Sequence, residues 1–451
     1  MPCAAPSHLF RDPTMIPFAS SPGHALASNT PRTSRSMLSR RLAAAALLLP
    51  LLVSACSESG GPTGNNGAAP DSLKTLPRTL TAAEQEGVRA NTQFALNLLR
   101  ATASAGQGNV LLSPLSVSFA LGMTMNGAAG NTLTEMQQTL GWGARSQGEI
   151  NTAYRDLRGM LPTLDNSVTI RLANGIWTRA GYPAGPEFTQ KAREFFNARV
   201  QTLATPQLMY DSVNAWGKRE TQNMIPKVLD GNAPEDLAML LANAVYFAGS
   251  WRNAFETDKT KPEPFRLASG ASVSVPMMQR KGGFNAFQDA SVSAVEMLYG
   301  NGAYSMVLMR PTTGSARELA SQLNEARYNA IVSSLRPADS ESWLALPRFS
   351  VKGNLELSET LADMGMPRAF GGFAEFPYLV PSARTSIGFV QHAVALDVFE
   401  QGTRAAAVTV VGIRLVSAPP SYRFDAPFVF FIRERLSGTV LFAGVINDPR
   451  A

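Results

Sequence analysis

From Ile387 the chain reads IGFVQHAVALDVFE (387–400), then QGTRAAAVTVVGIRLVSAPP (401–420), then SYRFDAPFVFF (421–431). Val394, Leu396, Val398 and Phe399 suit a buried strand, and the run from Phe424 to Ile432 suits another. Between them lie some two dozen residues without helical periodicity, and a connection of that length inside a compact domain is usually functional or disordered. Its first part, Gly402 to Thr409, is too apolar for an ordinary linker. Alternation along a strand would put Thr403, Ala405, Ala407, Thr409 and Val411 on one face and Arg404, Ala406, Val408, Val410 and Gly412 on the other. The first set is small or β-branched throughout, as needed for a segment exposed as a loop in one state and inserted into a sheet in another.

Four further blocks occur in order: NVLLSPLSVSFALGMTMNGAAGNTLTEMQQTLG (109–141), VNAWGKRETQNMIPKVL (213–229), LLANAVYFAGSWRNAF (240–255) and LPRFSVKGNLELSETLADMGM (346–366). Together with the 387–431 segment they resemble the serpins, the loop-inserting protease inhibitors, over nearly everything from about residue 80 onward. Ordered agreement of several blocks is far more specific than one short motif. The resemblance implies an α+β fold of three β-sheets surrounded by about eight or nine helices, with an exposed reactive-centre loop.

Site residues follow from the same resemblance. Glu400, Gly402, Thr403, Ala405, Ala406 and Ala407 match the hinge of that loop. Ser113, Ser116, Asn243 and His392 match a polar cluster beneath the central sheet, where strands part to admit the loop. Arg348 and Glu400 match an ion pair at the point of entry, and Trp251 is expected to be a packing residue near the top of the opening. In inhibitory serpins the scissile bond follows the fourteenth residue after the hinge glycine, which gives Val416-Ser417. Such an aliphatic residue suits elastase-like proteases; a shifted register would offer Leu415 to chymotrypsin-like or Arg414 to trypsin-like enzymes. The implied function is suicide-substrate inhibition of a serine protease through a covalent 1:1 complex, by a monomer. The alternative is a non-inhibitory serpin acting as carrier or chaperone, which would carry bulky or charged residues at the inward hinge positions. The chain departs from the family at Arg404, where glutamate is usual, and at Ala426, where a basic residue is usual. No lysine or arginine lies between Thr132 and Gly141, so glycosaminoglycan control is not expected.

Composition agrees with a large globular domain behind a leader. Hydrophobic residues make up 45% of the 451 and charged residues 16%, as in a chain with a substantial core. The net charge of +6 is concentrated at the start, where residues 1–55 hold five arginines and one aspartate. Removing these from the 40 basic and 34 acidic residues leaves 35 and 33, a balance that does not indicate a phosphate-binding surface. Arg40-Arg41, the apolar run from Leu42 to Val53 and Ser54-Ala55-Cys56 read as a secretory signal. Val53-Ser54-Ala55-Cys56 also resembles a bacterial lipoprotein box, in which the cysteine is lipidated and becomes the new N-terminus. The expected organisation is an overlong start or disordered leader at 1–36, a signal peptide at 37–55, a flexible tether at 56–79 after a lipidated Cys56, and the serpin domain at 80–451. The product would be exported and anchored to the cell envelope, or secreted if Cys56 stays unmodified.

Catalysis by the chain itself has little support. Of three histidines, His8 and His24 lie in the leader, which leaves His392, expected to be a buried structural residue. No Gly-x-Ser-x-Gly elbow or Ser-x-x-Lys pair occurs. The two cysteines, Cys3 and Cys56, supply neither a thiolate metal site nor a disulfide to the mature domain. No cofactor or metal is expected. Capping boxes are read at Thr81–Glu84 and Thr132–Glu135, each starting a helix, and the apolar run Met239–Phe247 is read as a central strand covered on both faces.

Overall fold

A computed structural model describes residues 72–106, 108–403 and 420–450. In chain order the helices are α1 (Ala82–Ala105), α2 (Pro114–Met125), α3 (Gly130–Thr139), α4 (Gln147–Met160) and α5 (Pro186–Phe196). They continue with α6 (Pro206–Glu220), α7 (Ala316–Gln322), α8 (Glu325–Ser334) and α9 (Ser358–Asp363). The strands begin with β1 (Val110–Leu112), β2 (Val168–Arg179), β3 (Arg199–Leu203), β4 (Met239–Ser250), β5 (Lys261–Arg266) and β6 (Ser272–Lys281). Next come β7 (Asn285–Gln288), β8 (Val292–Leu298), β9 (Tyr304–Pro311), β10 (Arg336–Pro337), β11 (Trp343–Pro347) and β12 (Phe349–Glu356). The last are β13 (Gln391–Val398), β14 (Gly402–Thr403), β15 (Ser421–Arg423), β16 (Phe428–Glu434) and β17 (Val440–Ile446).

The expected α+β architecture is present, with one difference in the sheets. A seven-stranded sheet runs β1-β17-β16-β9-β8-β7-β10 and a four-stranded sheet runs β15-β11-β6-β5. The third sheet is divided into two hydrogen-bonded pieces, β14-β4-β2-β3 and β12-β13. Three expected sheets therefore become four hydrogen-bonded sheets, because among the described residues no backbone ladder joins β4 to β13.

Local sequence explains most elements. β16 and β17 are buried at every position; β17 and the first five residues of β16 are apolar throughout, as strands covered on both faces are, while β16 ends on Arg433 and Glu434. β13 alternates instead, with His392, Val394, Leu396 and Val398 buried and the residues between them half-buried. α1 starts at the expected capping box: the Thr81 hydroxyl accepts from the Glu84 N–H, and the Glu84 carboxylate accepts from the Thr81 N–H.

Two local expectations need correction. Thr132 does not cap α3, which begins at Gly130 with Ala129 at the N-cap and no side-chain cap of its own. The capping anion comes from far along the chain: the Glu375 carboxylate accepts from the N–H groups of Asn131 (2.8 Å) and Thr132 (3.4 Å). The Thr132 hydroxyl is buried and accepts from the Glu375 N–H.

β4, read as covered on both faces, is so only in its second half. Ala244 to Phe247 are buried, whereas Leu241, Ala242 and Asn243 are half-buried. The reason is the missing neighbour on the β13 side.

Candidate functional site

The opening between β4 and β13 is a cleft of about 600 Å³, walled by Leu240 to Ala244 on one side and Gln391 to Ala393 on the other. Ser116 of α2 lies at its floor, and Val213 and Trp216 of α6 line it. Among the described residues, the stretches of β4 and β13 that border it have no ladder partner on the facing edge, a geometry that accepts an added strand.

The floor holds the polar residues singled out from sequence. Ser113 caps α2, its Oγ accepting from the Ser116 N–H (3.4 Å) and donating to the Leu441 carbonyl (2.9 Å). The Ser113 N–H donates to Nε2 of His392 (2.9 Å). Ser116 Oγ donates to Oδ1 of Asn243 (2.5 Å), and Asn243 Nδ2 donates to Oδ1 of Asn174 (2.7 Å). Asn174 in turn donates to the Phe196 carbonyl (2.7 Å). The four expected residues are thus brought together as two hydrogen-bonded pairs, linked by Ser113 and Ser116 at the start of α2. Asn174 was missed. The available signal was an amide at a position of β2 between apolar stretches, which needs a partner wherever it is buried. Burial pushes the His392 imidazole down to about 4, so it is neutral at pH 7, and Nε2 is the bare acceptor that the Ser113 N–H requires.

At the opposite end the slot has begun to fill. Gly402 pairs with Ser250 and Thr403 with Gly249 on β4, antiparallel, while Gly402 also bridges Phe399 at the end of β13. Thr403 is fully buried, and its Oγ1 lies 3.0 Å from the Tyr299 hydroxyl. Gly402 has φ +146, and a Cβ there would stand 2.3 Å from the Gly249 carbonyl oxygen, so only glycine fits between these backbones. Trp251 stacks on Tyr299 with ring centroids 4.3 Å apart, and its Nε1 donates to the Phe399 carbonyl (2.9 Å).

Arg348 and Glu400 form an ion pair at this end. Glu400 is 2% exposed, while the Arg348 side chain is 46% exposed. Burial resists ionisation of Glu400, but hydrogen bonds from Arg348 and from the Thr260 hydroxyl (2.7 Å) outweigh it and hold the carboxyl below its ordinary value. Thr260 was not anticipated and carries no sequence signal. Ala405, Ala406, Ala407, Val416, Ser417 and Cys56 lie outside the described residues.

Comparison with known proteins agrees with this geometry. A family model described as Serpin (serine protease inhibitor) matches residues 89–449. The chain is 31% identical over 377 residues to a leukocyte elastase inhibitor of Bos taurus, covering 80% of this chain and 98% of that one. It is 30% identical to an uncharacterised serpin-like protein of Thermococcus kodakarensis, covering 87% and 94%. Among solved structures, the thermophilic serpin tengpin in its native state superposes with a TM-score of 0.74 at 25% identity, covering 84% and 97%. Human thyroxine-binding globulin complexed with thyroxine superposes at 0.75 with 23% identity, covering 82% and 100%, a likeness of fold alone.

Proposed function

Because the chain belongs to the serpin family, we propose that it is a suicide-substrate inhibitor of serine proteases, with elastase-like enzymes as the favoured targets. The observation that carries this reading is the open slot in the central sheet with Gly402 and Thr403 already paired at its mouth. A target protease attacks Val416-Ser417 in the loop, forming an acyl-enzyme. The freed loop then continues into the slot as a new strand and carries the bound protease to the far end before hydrolysis can finish.

The register at the mouth supports residue-level assignments. Continued along β4, it brings Ala405 opposite Phe247, Ala407 opposite Val245 and Thr409 opposite Asn243. Continued along β13 from the Phe399–Gly402 bridge, it brings Thr409 opposite His392. Both ladders thus converge on one hydroxyl beside the Ser116–Asn243 and Ser113–His392 pairs, while alanines meet the apolar stretch above. Inward residues this small favour insertion over a carrier role. The relative named an elastase inhibitor and the aliphatic Val416 support the elastase-like assignment.

The test is incubation with elastase-, chymotrypsin- and trypsin-like proteases at equimolar ratio on a denaturing gel. A covalent band of summed mass, with cleavage after Val416, is expected for the elastase-like enzyme. No covalent band with any of the three would leave a serpin without inhibitory function.

The Val53–Cys56 box supports export and lipid anchoring at Cys56 as part of the same proposal. No described helix is long and apolar enough to cross a membrane. Mass spectrometry of the mature N-terminus should find acylated Cys56, and an unmodified cysteine there overturns the anchor.

A further inference from the structure

Arg280, near the end of β6, is 7% exposed, and among the described residues no carboxylate pairs with it. Burial alone pulls its guanidinium down to about 10. An unpaired buried cation is costly, and the groups that meet it offset part of that cost. Its Nη1 donates to the Asn253 carbonyl, and Cζ stands 5.8 Å from the centroid of the Phe255 ring. The Asn253 side chain ties the same segment to the corner after β6, Nδ2 donating to the Gly283 carbonyl (3.1 Å). The corner after β6 is shaped around this side chain: Gly283 has φ +68, and a Cβ there would lie 2.1 Å from Nη2 of Arg280.

The segment held in this way, Trp251 to Phe255, is the one that holds the entrance of the slot. Its groups take three successive carbonyls at the turn from β13 into β14. Trp251 Nε1 donates to Phe399 O (2.9 Å), Phe255 N–H to Glu400 O (2.8 Å) and Trp251 N–H to Gln401 O (2.8 Å). Gly402 and Thr403 follow directly.

We infer that Arg280 is a positioning residue for loop insertion: through Asn253 and Phe255 it fixes the 251–255 clamp, which sets the register in which the chain after Gln401 enters the sheet. It touches neither the protease nor the scissile bond. The consequence for inhibition rests on the function proposed above; the clamp itself does not.

Hydrogen exchange on the purified protein tests the clamp without any protease. Arg280→Met keeps an unbranched aliphatic stem but removes the donors, and Asn253→Ala, at an exposed position, removes the bond from the Asn253 side chain to the Gly283 carbonyl. Both variants should lose protection by about tenfold in peptides covering 251–255 and 399–403, as expected from loosening of roughly one hydrogen bond. Peptides from β16 and β17 should be unchanged. Unchanged protection at 251–255, or a loss spread equally into β16 and β17, overturns the inference. With a protease that wild type traps, both variants should shift product several-fold from covalent complex to cleaved inhibitor, with Arg280→Lys intermediate; an unshifted ratio overturns the positioning role. If wild type traps no protease, the proposed function fails while the exchange result still decides the clamp.

Discussion

Thr403 and His392 show how single side chains mark the two ends of the slot. Thr403 is fully buried with its hydroxyl on Tyr299, so Thr403→Arg would force an unpaired cation into an apolar site at a cost of several kcal/mol. That variant should be cleaved as a substrate where wild type forms a covalent complex; an undiminished covalent band on a denaturing gel would refute the inward assignment. His392 supplies a dependence on pH. The unfolded chain takes up its imidazole proton near pH 6.5, whereas burial delays protonation in the fold to about 4. The stability it confers is therefore complete above pH 6.5 and lost as pH falls from 6.5 through 4, by about 3 kcal/mol in all. Other groups titrate in the same range, so the measurement is a comparison with His392→Gln. Between pH 7 and 4.5 the unfolding midpoint should fall further in wild type than in the variant, and equal falls would mean that His392 is not the group responsible.

At the scale of elements, the entrance depends on a carboxylate shared between segments distant in sequence. Glu400 accepts from Arg348 and Thr260 while its own carbonyl accepts from Phe255. Glu400→Lys places two cations together at a buried position, which should loosen the hold of β14 on β4 and expose the slot. An open edge accepts another strand, including the loop of a second molecule. Mild heating should then give a ladder of oligomers on a native gel for the variant before wild type forms any; simultaneous onset would argue against this mechanism. Both strands that border the slot were legible in sequence, β13 from its alternation and β4 from its apolar run. So was the start of α1, because Thr81 and Glu84 are three residues apart. The start of α3 was not, since its capping carboxylate, Glu375, is 244 residues from Asn131 and no local pattern carries that information. Nor could the apolar run of β4 reveal that part of one edge lacks a neighbour. The polar floor was reached through family resemblance, and the residues it omitted, Asn174, Tyr299 and Thr260, are those whose roles exist only through contacts across the fold.

For the whole molecule, the proposed function requires that the divided sheet not be the state of lowest free energy. β4 and β13 each keep an unladdered edge beside a cleft of about 600 Å³, and the segment that fits between them begins at Thr403. Filling the slot would give roughly a dozen backbone groups ladder bonds worth about 0.5–1.5 kcal/mol each, together with burial of the inward alanines, valine and threonines. The gain is as large as the whole stability of an ordinary domain. On the proposed mechanism connectivity withholds it, since the chain continues from Pro420 into β15 and an intact loop would not travel the length of the slot. Cutting any bond between Thr409 and Ser417 removes that tie and nothing else. The unfolding midpoint should therefore rise by tens of degrees after limited proteolysis in the loop, while chain composition and mass, apart from one added water, stay the same. A melting curve before and after cleavage, with the cut mapped by mass spectrometry, measures this directly. A carrier whose loop stays outside the sheet would melt at the same temperature cut or uncut, and that result would remove the driving force on which trapping of a protease depends.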